Sequence, residues 1–114
     1  MPPTPTTPPG LEPLRFDHAA AAAAIDACTR AAAAVDAAVE ARGRAATVAR
    51  AEWRGPARDD FDRELLGLDR DAASLSVALR QAAGAIGTTR EAVGVENASR
   101  REARILWQRS QLAG

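Results

Sequence analysis

The chain has 114 residues, enough for one domain, and about a quarter of them are alanine. Its 15 arginines are balanced by 15 acidic residues, so no overall field favours nucleic acid, and we expect no nucleic-acid partner. One cysteine cannot form an internal disulfide. The sequence also lacks an apolar run of membrane length and the basic start and apolar core of a classical signal peptide. We therefore expect a chain without a transmembrane segment or cleaved leader.

Residues 1–13 contain six of the seven prolines, with threonines between them. Proline cannot join helix interiors and stiffens a chain toward the polyproline II conformation. We predict a Pro-rich arm that is disordered or extended. A solvated tail is favoured over a segment that binds a proline-recognising partner.

The next segment predicts a first helix over about residues 17–52, with the Asp17 carboxylate as its N-cap. Its apolar residues recur in steps of three and four, broken only at Arg42. Most of them are alanine, which allows close helix approach but buries little area, so this helix needs partners on more than one side. The seam consists of Ile25, Cys28, Ala32, Val35, Val39, Ala46, Ala49 and Trp53.

Residues 53–56, Trp-Arg-Gly-Pro, predict a turn between two helices. Gly55 can adopt backbone angles that end a helix, because it has no Cβ to clash. Pro56 suits the first turn of a new helix, where its missing N–H would have no partner. Asp59 and Asp60 follow at the positive end of the helix dipole. The sequence therefore predicts a chain that reverses direction at Trp53.

A second helix is predicted over about residues 57–97, because its apolar positions alternate in steps of four and three for four heptads. We interpret this row as the seam of a helical hairpin formed by residues 14–97. A second stripe, Leu66, Ala73 and Val77, lies off the seam and predicts an interface with another chain. Three glycines in the distal half predict fraying or a kink. The seam is Phe61, Leu65, Leu68, Ala72, Leu75, Leu79, Ala82, Ile86, Thr89 and Val93, and the glycines are Gly84, Gly87 and Gly94.

Residues 98–114 form a short basic amphipathic tail with a net charge of +3, from four arginines and one glutamate. Three interpretations stay open: a fraying helix end, a docking tail for another protein, or a segment that touches acidic lipid. The candidate docking residues are Arg104, Ile105, Leu106 and Trp107.

Residue types that could carry chemistry are scattered, and we expect no enzyme, no metal and no cofactor. His18 is a lone histidine, and the single distant Cys28 cannot complete a zinc site with it. Cys28 falls on the first helix's seam, which favours a buried small side chain over a reactive thiol. Carboxylates alternate with arginines early in the second helix, as on a solvated helix face. These carboxylates are Asp59, Asp60, Asp62, Glu64, Asp69 and Asp71.

The residues from about 17 to 97 resemble the WXG (ESAT-like) family of small helical-hairpin proteins, which type VII (ESX) secretion systems export in actinobacteria and related bacteria. Trp53-Arg54-Gly55 fits the Trp-x-Gly motif at the midpoint of a helical pair, and Phe61 supplies an aromatic eight residues later. The heptads that follow carry apolar residues where family members do.

This resemblance implies an all-α hairpin of two long antiparallel helices that pairs into a four-helix-bundle dimer. It implies export of a folded pair, so the chain would be cytoplasmic first and secreted afterwards. The family's C-terminal signal, Tyr-x-x-x-Asp/Glu, is absent because the chain contains no tyrosine. Either a cognate WXG-type partner carries the signal, or this protein is not exported by that route. The pair implied by the resemblance is a heterodimer or a homodimer.

The resemblance favours a non-catalytic secretion substrate or secretion partner. The alternative is a cytoplasmic adaptor or chaperone that binds a larger effector or toxin and is never exported. Trp53 has two compatible roles: closing the open end of the hairpin, or forming part of a surface for the export machinery. If the basic tail is a docking tail, its partner would be a secretion ATPase or chaperone.

Overall fold

The computed structural model describes residues 8–113 and consists of two long helices with no strand in that part of the chain. Helix α1 spans His18–Arg50 and helix α2 spans Pro56–Ala113. They lie side by side in a rod of 89 × 20 × 17 Å. The prediction of an all-helical chain with two long helices is confirmed.

Helix α1 begins where the sequence predicts. The Asp17 side chain accepts a hydrogen bond from the Ala20 N–H at 2.9 Å, and the Asp17 backbone is extended. This carboxylate satisfies one of the free N–H groups at the helix start. The helix ends at Arg50, two residues before the predicted end, and the Ala51 N–H bonds to the Val48 carbonyl.

Helix α2 starts at Pro56 and runs for 58 residues, or about 87 Å. Gly55, directly before it, has φ +110°, a conformation that L side chains rarely adopt. The Gly55 carbonyl accepts hydrogen bonds from the N–H groups of Arg58 and Asp59. The glycine therefore turns the chain and caps the first turn of α2.

The structure differs from the prediction in the distal half of α2. The helix continues through all three glycines and across the predicted boundary at residues 97 and 98, so the basic tail is the end of α2. Each glycine costs about 1 kcal/mol relative to alanine, while each added helical residue gains a hydrogen bond. Gly87 faces α1, where an added Cβ would lie 3.9 Å from Ile25 Cδ1.

Cross-helix contacts place the two helices antiparallel in one register. From the end of α1 back toward its start, successive contacts fall at increasing residue numbers in α2. The side of α2 that faces α1 repeats in steps of four and three, as in coiled-coil packing. The contacts are Arg50 with Asp62, Arg42 with Asp69, Asp36 with Arg80, Ile25 with Gly87 and His18 with Arg90.

The core between the helices is thin. The buried apolar residues in the described chain are Ala21, Ala32, Ala46 and Leu65. Ser76 is buried with them, and no large side chain there is fully buried. Alanines let the helix axes approach closely, but each removes little apolar area from water. The hairpin therefore contains little hydrophobic burial of its own.

The predicted seam of α2 is only partly the surface that faces α1. Leu65 is buried and Phe61, Leu79 and Ile86 are half-buried, but Leu68 and Leu75 are 52% and 51% exposed. Asp69 and Ser76, each one position further along the chain, face α1 in place of Leu68 and Leu75. In the same way, half-buried Ala83 faces α1 in place of exposed Ala82. The cause is polar pairing across the hairpin: Asp69 contacts Arg42, and Ser76 lies beside Arg80 and Asp36. In α1, Ala49 is exposed while Arg50 is half-buried.

An N-terminal segment continues along α2 beyond the start of α1. Pro8 to Leu11 form a turn closed by a Leu11 N–H to Pro8 carbonyl bond, with Gly10 at φ +85°. Proline and glycine at its second and third positions suit a type II turn. Residues 11–16, which we call the strap, come next, and Leu11, Glu12 and Leu14 contact residues 97–104 of α2. Residues 95–113 of α2 extend past the start of α1, and we call them the overhang. From residue 11 onward, the expected free arm is attached to α2; residues 1–7 lie outside the described residues.

Candidate interaction surface

The turn brings two aromatic rings together at one end of the rod. The Trp53 and Phe61 ring centroids are 5.2 Å apart with the planes tilted by 47°. Both side chains are half-buried. Such aromatic pairs contribute roughly 0.5–1.5 kcal/mol beyond the area they bury. The indole therefore packs on the start of α2 and still presents part of its surface at the tip of the rod.

Polar contacts fix the shape of this turn. Arg58 Nη1 donates to the Trp53 carbonyl at 3.1 Å, and Arg58 Nε lies 3.7 Å from Asp62. Arg50 approaches the same Asp62 carboxylate from α1 at 3.4 Å. The Trp53 N–H also donates to the Arg50 carbonyl at 3.3 Å. The sequence pattern placed Asp62 on a solvated helix face, although its spacing of four residues from Arg58 was the available signal for this contact.

Two exposed apolar strips flank the side of α2 that faces α1. Leu66 and Val77 are 51% and 54% exposed and lie with exposed Ala73 on one flank. Leu68 and Leu75 lie on the other flank, because successive helical residues turn by about 100°. The predicted partner stripe is thus on the surface, and two residues assigned to the hairpin seam form a second strip there.

The exposed area is large for a chain of this mass. The molecule exposes 8508 Å². A compact monomer of 11.9 kDa would expose about 6,000 Å², so the excess is roughly 2,500 Å². This excess follows from the elongated shape of the rod, which spreads its surface along 89 Å.

The four candidate docking residues of the C-terminal tail differ in their contacts and in their exposure. Arg104 Nη1 donates to the Leu11 carbonyl at 2.6 Å, so this arginine is engaged by the strap. Ile105 and Leu106 are 40% and 63% exposed, while Trp107 is half-buried. The structure therefore leaves Ile105 and Leu106 on the outer surface of the overhang.

Asp36 is the charged residue whose surroundings change its titration most clearly. Arg80 Nη2 donates to its carboxylate at 2.7 Å, and Ser76 also hydrogen-bonds it. The Arg80 hydrogen bond, followed by that of Ser76, holds the pKa of Asp36 below its ordinary value. This group joins the middles of the two helices.

His18 and Cys28 both lie on α1, ten residues or about 15 Å apart along the helix. In the described residues, no three His, Cys, Asp or Glu side chains cluster as metal ligands would. Neither described helix has the long apolar stretch that crossing a membrane requires.

Comparison of the chain with models of protein families, with characterised proteins and with solved structures gave no match. We therefore infer function from the turn, the apolar strips and the overhang themselves.

Proposed function

We propose that this chain is a non-catalytic WXG-type hairpin protein that acts as a dimer in type VII secretion, as a substrate or as a secretion partner. The observation that carries the proposal is the place of the Trp-x-Gly motif. Trp53 and Gly55 lie in the turn between two long antiparallel helices, where Gly55 has the positive φ that reverses the chain.

Dimer formation is supported by the surface of α2. The strips on its two flanks are apolar, and each offers side chains that another helix could cover. Burying apolar area is worth roughly 25 cal/mol per Å², and the thin alanine core provides little of it inside one chain. A second hairpin lying along α2 would complete a four-helix bundle.

Trp53 has a double role in this proposal. Its contact with Phe61 stabilises the turn, and its remaining surface is presented at the tip of the rod. Aromatic residues with one packed face and one accessible face are common at protein interfaces. We propose that the tip is the surface that meets the export machinery.

A second candidate function is a cytoplasmic adaptor or chaperone for a larger effector or toxin. It is favoured by one sequence observation, the absence of tyrosine and therefore of the Tyr-x-x-x-Asp/Glu signal. Under the first function, a cognate partner supplies that signal. The two functions thus differ in whether the chain leaves the cell.

The test begins with the mass of the purified chain by light scattering, alone and coexpressed with the product of the neighbouring gene. We expect a dimer, either of this chain or with that partner. Export is then followed by immunoblotting of culture medium. A dimer that is secreted supports the first function, and a complex with a larger effector that stays in the cell supports the second. A chain that is a well-ordered monomer under both conditions contradicts both.

The role of Trp53 is tested with Trp53→Ala, and Val95→Ala toward the other end of the rod is the control, because Val95 is 67% exposed and lies outside the turn, the apolar strips and the candidate docking residues. We expect Trp53→Ala to retain helicity by circular dichroism and to lower export or partner binding, while Val95→Ala changes neither. Normal export of Trp53→Ala would remove the proposed role of the tip.

A further inference from the structure

The side of α2 that faces α1 changes its contacts where α1 ends. Within the hairpin, this row contains apolar residues and also Asp69 and Ser76, which pair with side chains of α1. In the overhang, the same steps of three and four lead to Asn97, Arg100 and Arg104, all of which are half-buried. Three consecutive positions of the row are therefore hydrogen-bond donors where the neighbour changes from a helix to the strap.

These three side chains contact the main chain of the strap. The Leu14 N–H donates to Asn97 Oδ1 at 2.7 Å, and Asn97 Nδ2 donates back to the Leu14 carbonyl at 3.2 Å. Arg100 Nη1 donates to the Glu12 carbonyl at 2.8 Å, and Arg104 Nη1 to that of Leu11 at 2.6 Å. The row therefore contacts the strap through its peptide groups and not through the side chains that the segment carries.

The spacing of the donors excludes a helical segment. Residues 97 and 104 are seven apart, so they lie about 10.5 Å apart along α2 at 1.5 Å per residue. Residues 11–14 are not helical, and their backbone bends at Glu12. A helical segment of equal sequence length would rise only about 4.5 Å and would be too short to meet all three donors.

We propose that Asn97, Arg100 and Arg104 form a binding site for the main chain of a non-helical, proline-containing peptide, which the chain's own residues 11–14 occupy. Three of the four hydrogen bonds use carbonyl groups, which proline retains, and only Leu14 uses its N–H. Pro13 lies between the bound residues without disturbing them. The tethered strap competes with any peptide in solution, so a partner segment enters when the strap leaves. This site does not depend on the secretion role.

The first test measures amide hydrogen exchange at Leu14 by NMR in the full chain. We expect the wild-type amide to exchange at least about tenfold more slowly than an unprotected amide. Asn97→Ala should remove this protection and Arg100→Ala should reduce it. Arg101→Ala is the matched control, because exposed Arg101 makes no described contact with the strap, and it should change nothing. An unprotected Leu14 amide in the wild type would overturn the contact.

The second test uses a fluorescent peptide with the sequence of residues 8–16 and the full chain carrying Leu14→Pro. This substitution removes the N–H that Asn97 accepts and leaves both helices intact. We expect the peptide to bind the Leu14→Pro chain saturably at peptide concentrations up to about 1 mM. We expect about tenfold weaker peptide binding to the wild type, because its tethered strap competes for the site at an effective concentration similar to that of the peptide.

Adding Arg100→Ala and Arg104→Ala to the Leu14→Pro chain should abolish peptide binding while circular dichroism stays unchanged. Equal affinity for the wild-type and Leu14→Pro chains would overturn the competition. Absence of saturable binding to Leu14→Pro would overturn the site itself. Neither result would bear on dimerisation or export, which are measured separately.

Discussion

Gly55 illustrates how a single backbone position sets the direction of this chain. Its φ of +110° lies in a region that a Cβ makes unfavourable, and the following proline begins α2. The sequence alone predicted this position, because glycine followed by proline between two helical patterns is typical of a chain reversal. Gly67, by contrast, lies inside α2 with open space where a Cβ would be.

These two glycines give predictions of opposite sign. Gly55→Ala should destabilise the hairpin by about 1–2 kcal/mol, because alanine is strained at positive φ. Gly67→Ala should stabilise it by about 0.5–1 kcal/mol, because alanine loses less backbone entropy in a helix. Chemical denaturation followed by circular dichroism measures both values. Equal effects of the two substitutions would mean that the turn lacks this backbone conformation.

Asp36 leads to a prediction about pH. Its lowered pKa means that the ionised form stabilises the hairpin above its ordinary pKa, and that this contribution disappears as the pH falls through the lowered value. Asp36→Asn should therefore lower the Tm at neutral pH, and its difference from the wild type should shrink below about pH 4.

Asp26→Asn is the control for this measurement, because the Arg30 partner of Asp26 lies on the same helix. It should have little effect on the Tm at any pH, as exposed pairs within a helix contribute little. A Tm difference for Asp36→Asn that stays constant down to about pH 2 would contradict the role of the Arg80 contact.

At the scale of elements, the sequence predicted α1 and the start of α2 within two residues, because caps and turn residues are local signals. The apolar pattern of α2 fits two overlapping rows of residues, each spaced by steps of four and three, and both rows include Leu65, Leu79 and Ile86. Counting apolar residues favoured the row through Leu68 and Leu75. The structure uses the row through Asp69 and Ser76, because Arg42 and Asp36 of α1 pair with them. Such pairing is a property of two helices together.

The strap contacts were missed for a related reason. Prolines predicted a free arm, since proline disfavours helix and sheet. The acceptors that hold the strap are backbone carbonyls, which every residue carries, and the donors lie more than 80 residues away. No local pattern could have connected Arg100 with Glu12.

The alanine packing of α1 gives a prediction for the helix pair. Ala32 is fully buried, and Ala33 beside it is exposed. Ala32→Leu should destabilise the hairpin by about 1–3 kcal/mol, because the larger side chain would force the helices apart. Ala33→Leu should change stability by less than about 0.5 kcal/mol. Thermal unfolding of both variants checks this, and similar Tm values would mean that the two helices meet on a different face.

For the whole molecule, the main property is a long surface around a thin core. Helical rods of this kind gain stability when other rods cover their apolar flanks. The exposed strips of α2 are therefore where the proposed dimer should be most sensitive to substitution. Leu68 and Leu75 make this testable, because they are half exposed in the single chain.

Leu68→Gln combined with Leu75→Gln should keep the helicity of the hairpin and shift the assembly toward the monomer, with at least about a tenfold weaker dimer. Val48→Gln is the control, because Val48 is 77% exposed on α1 and lies outside both strips. Sedimentation equilibrium measures the change. A double variant that dimerises as tightly as the wild type would exclude this flank, and the same substitutions at Leu66 and Val77 would then test the other.

The location of both ends of the described chain at one end of the rod has a mechanical consequence. Leu11 lies beside Arg104, and the turn lies at the opposite end. A force that pulls the two ends apart would load the contacts one after another, from the strap toward Gly55, as a zipper opens. An optical trap should therefore record a series of low-force steps, the first of them releasing the strap from the overhang before the two helices separate.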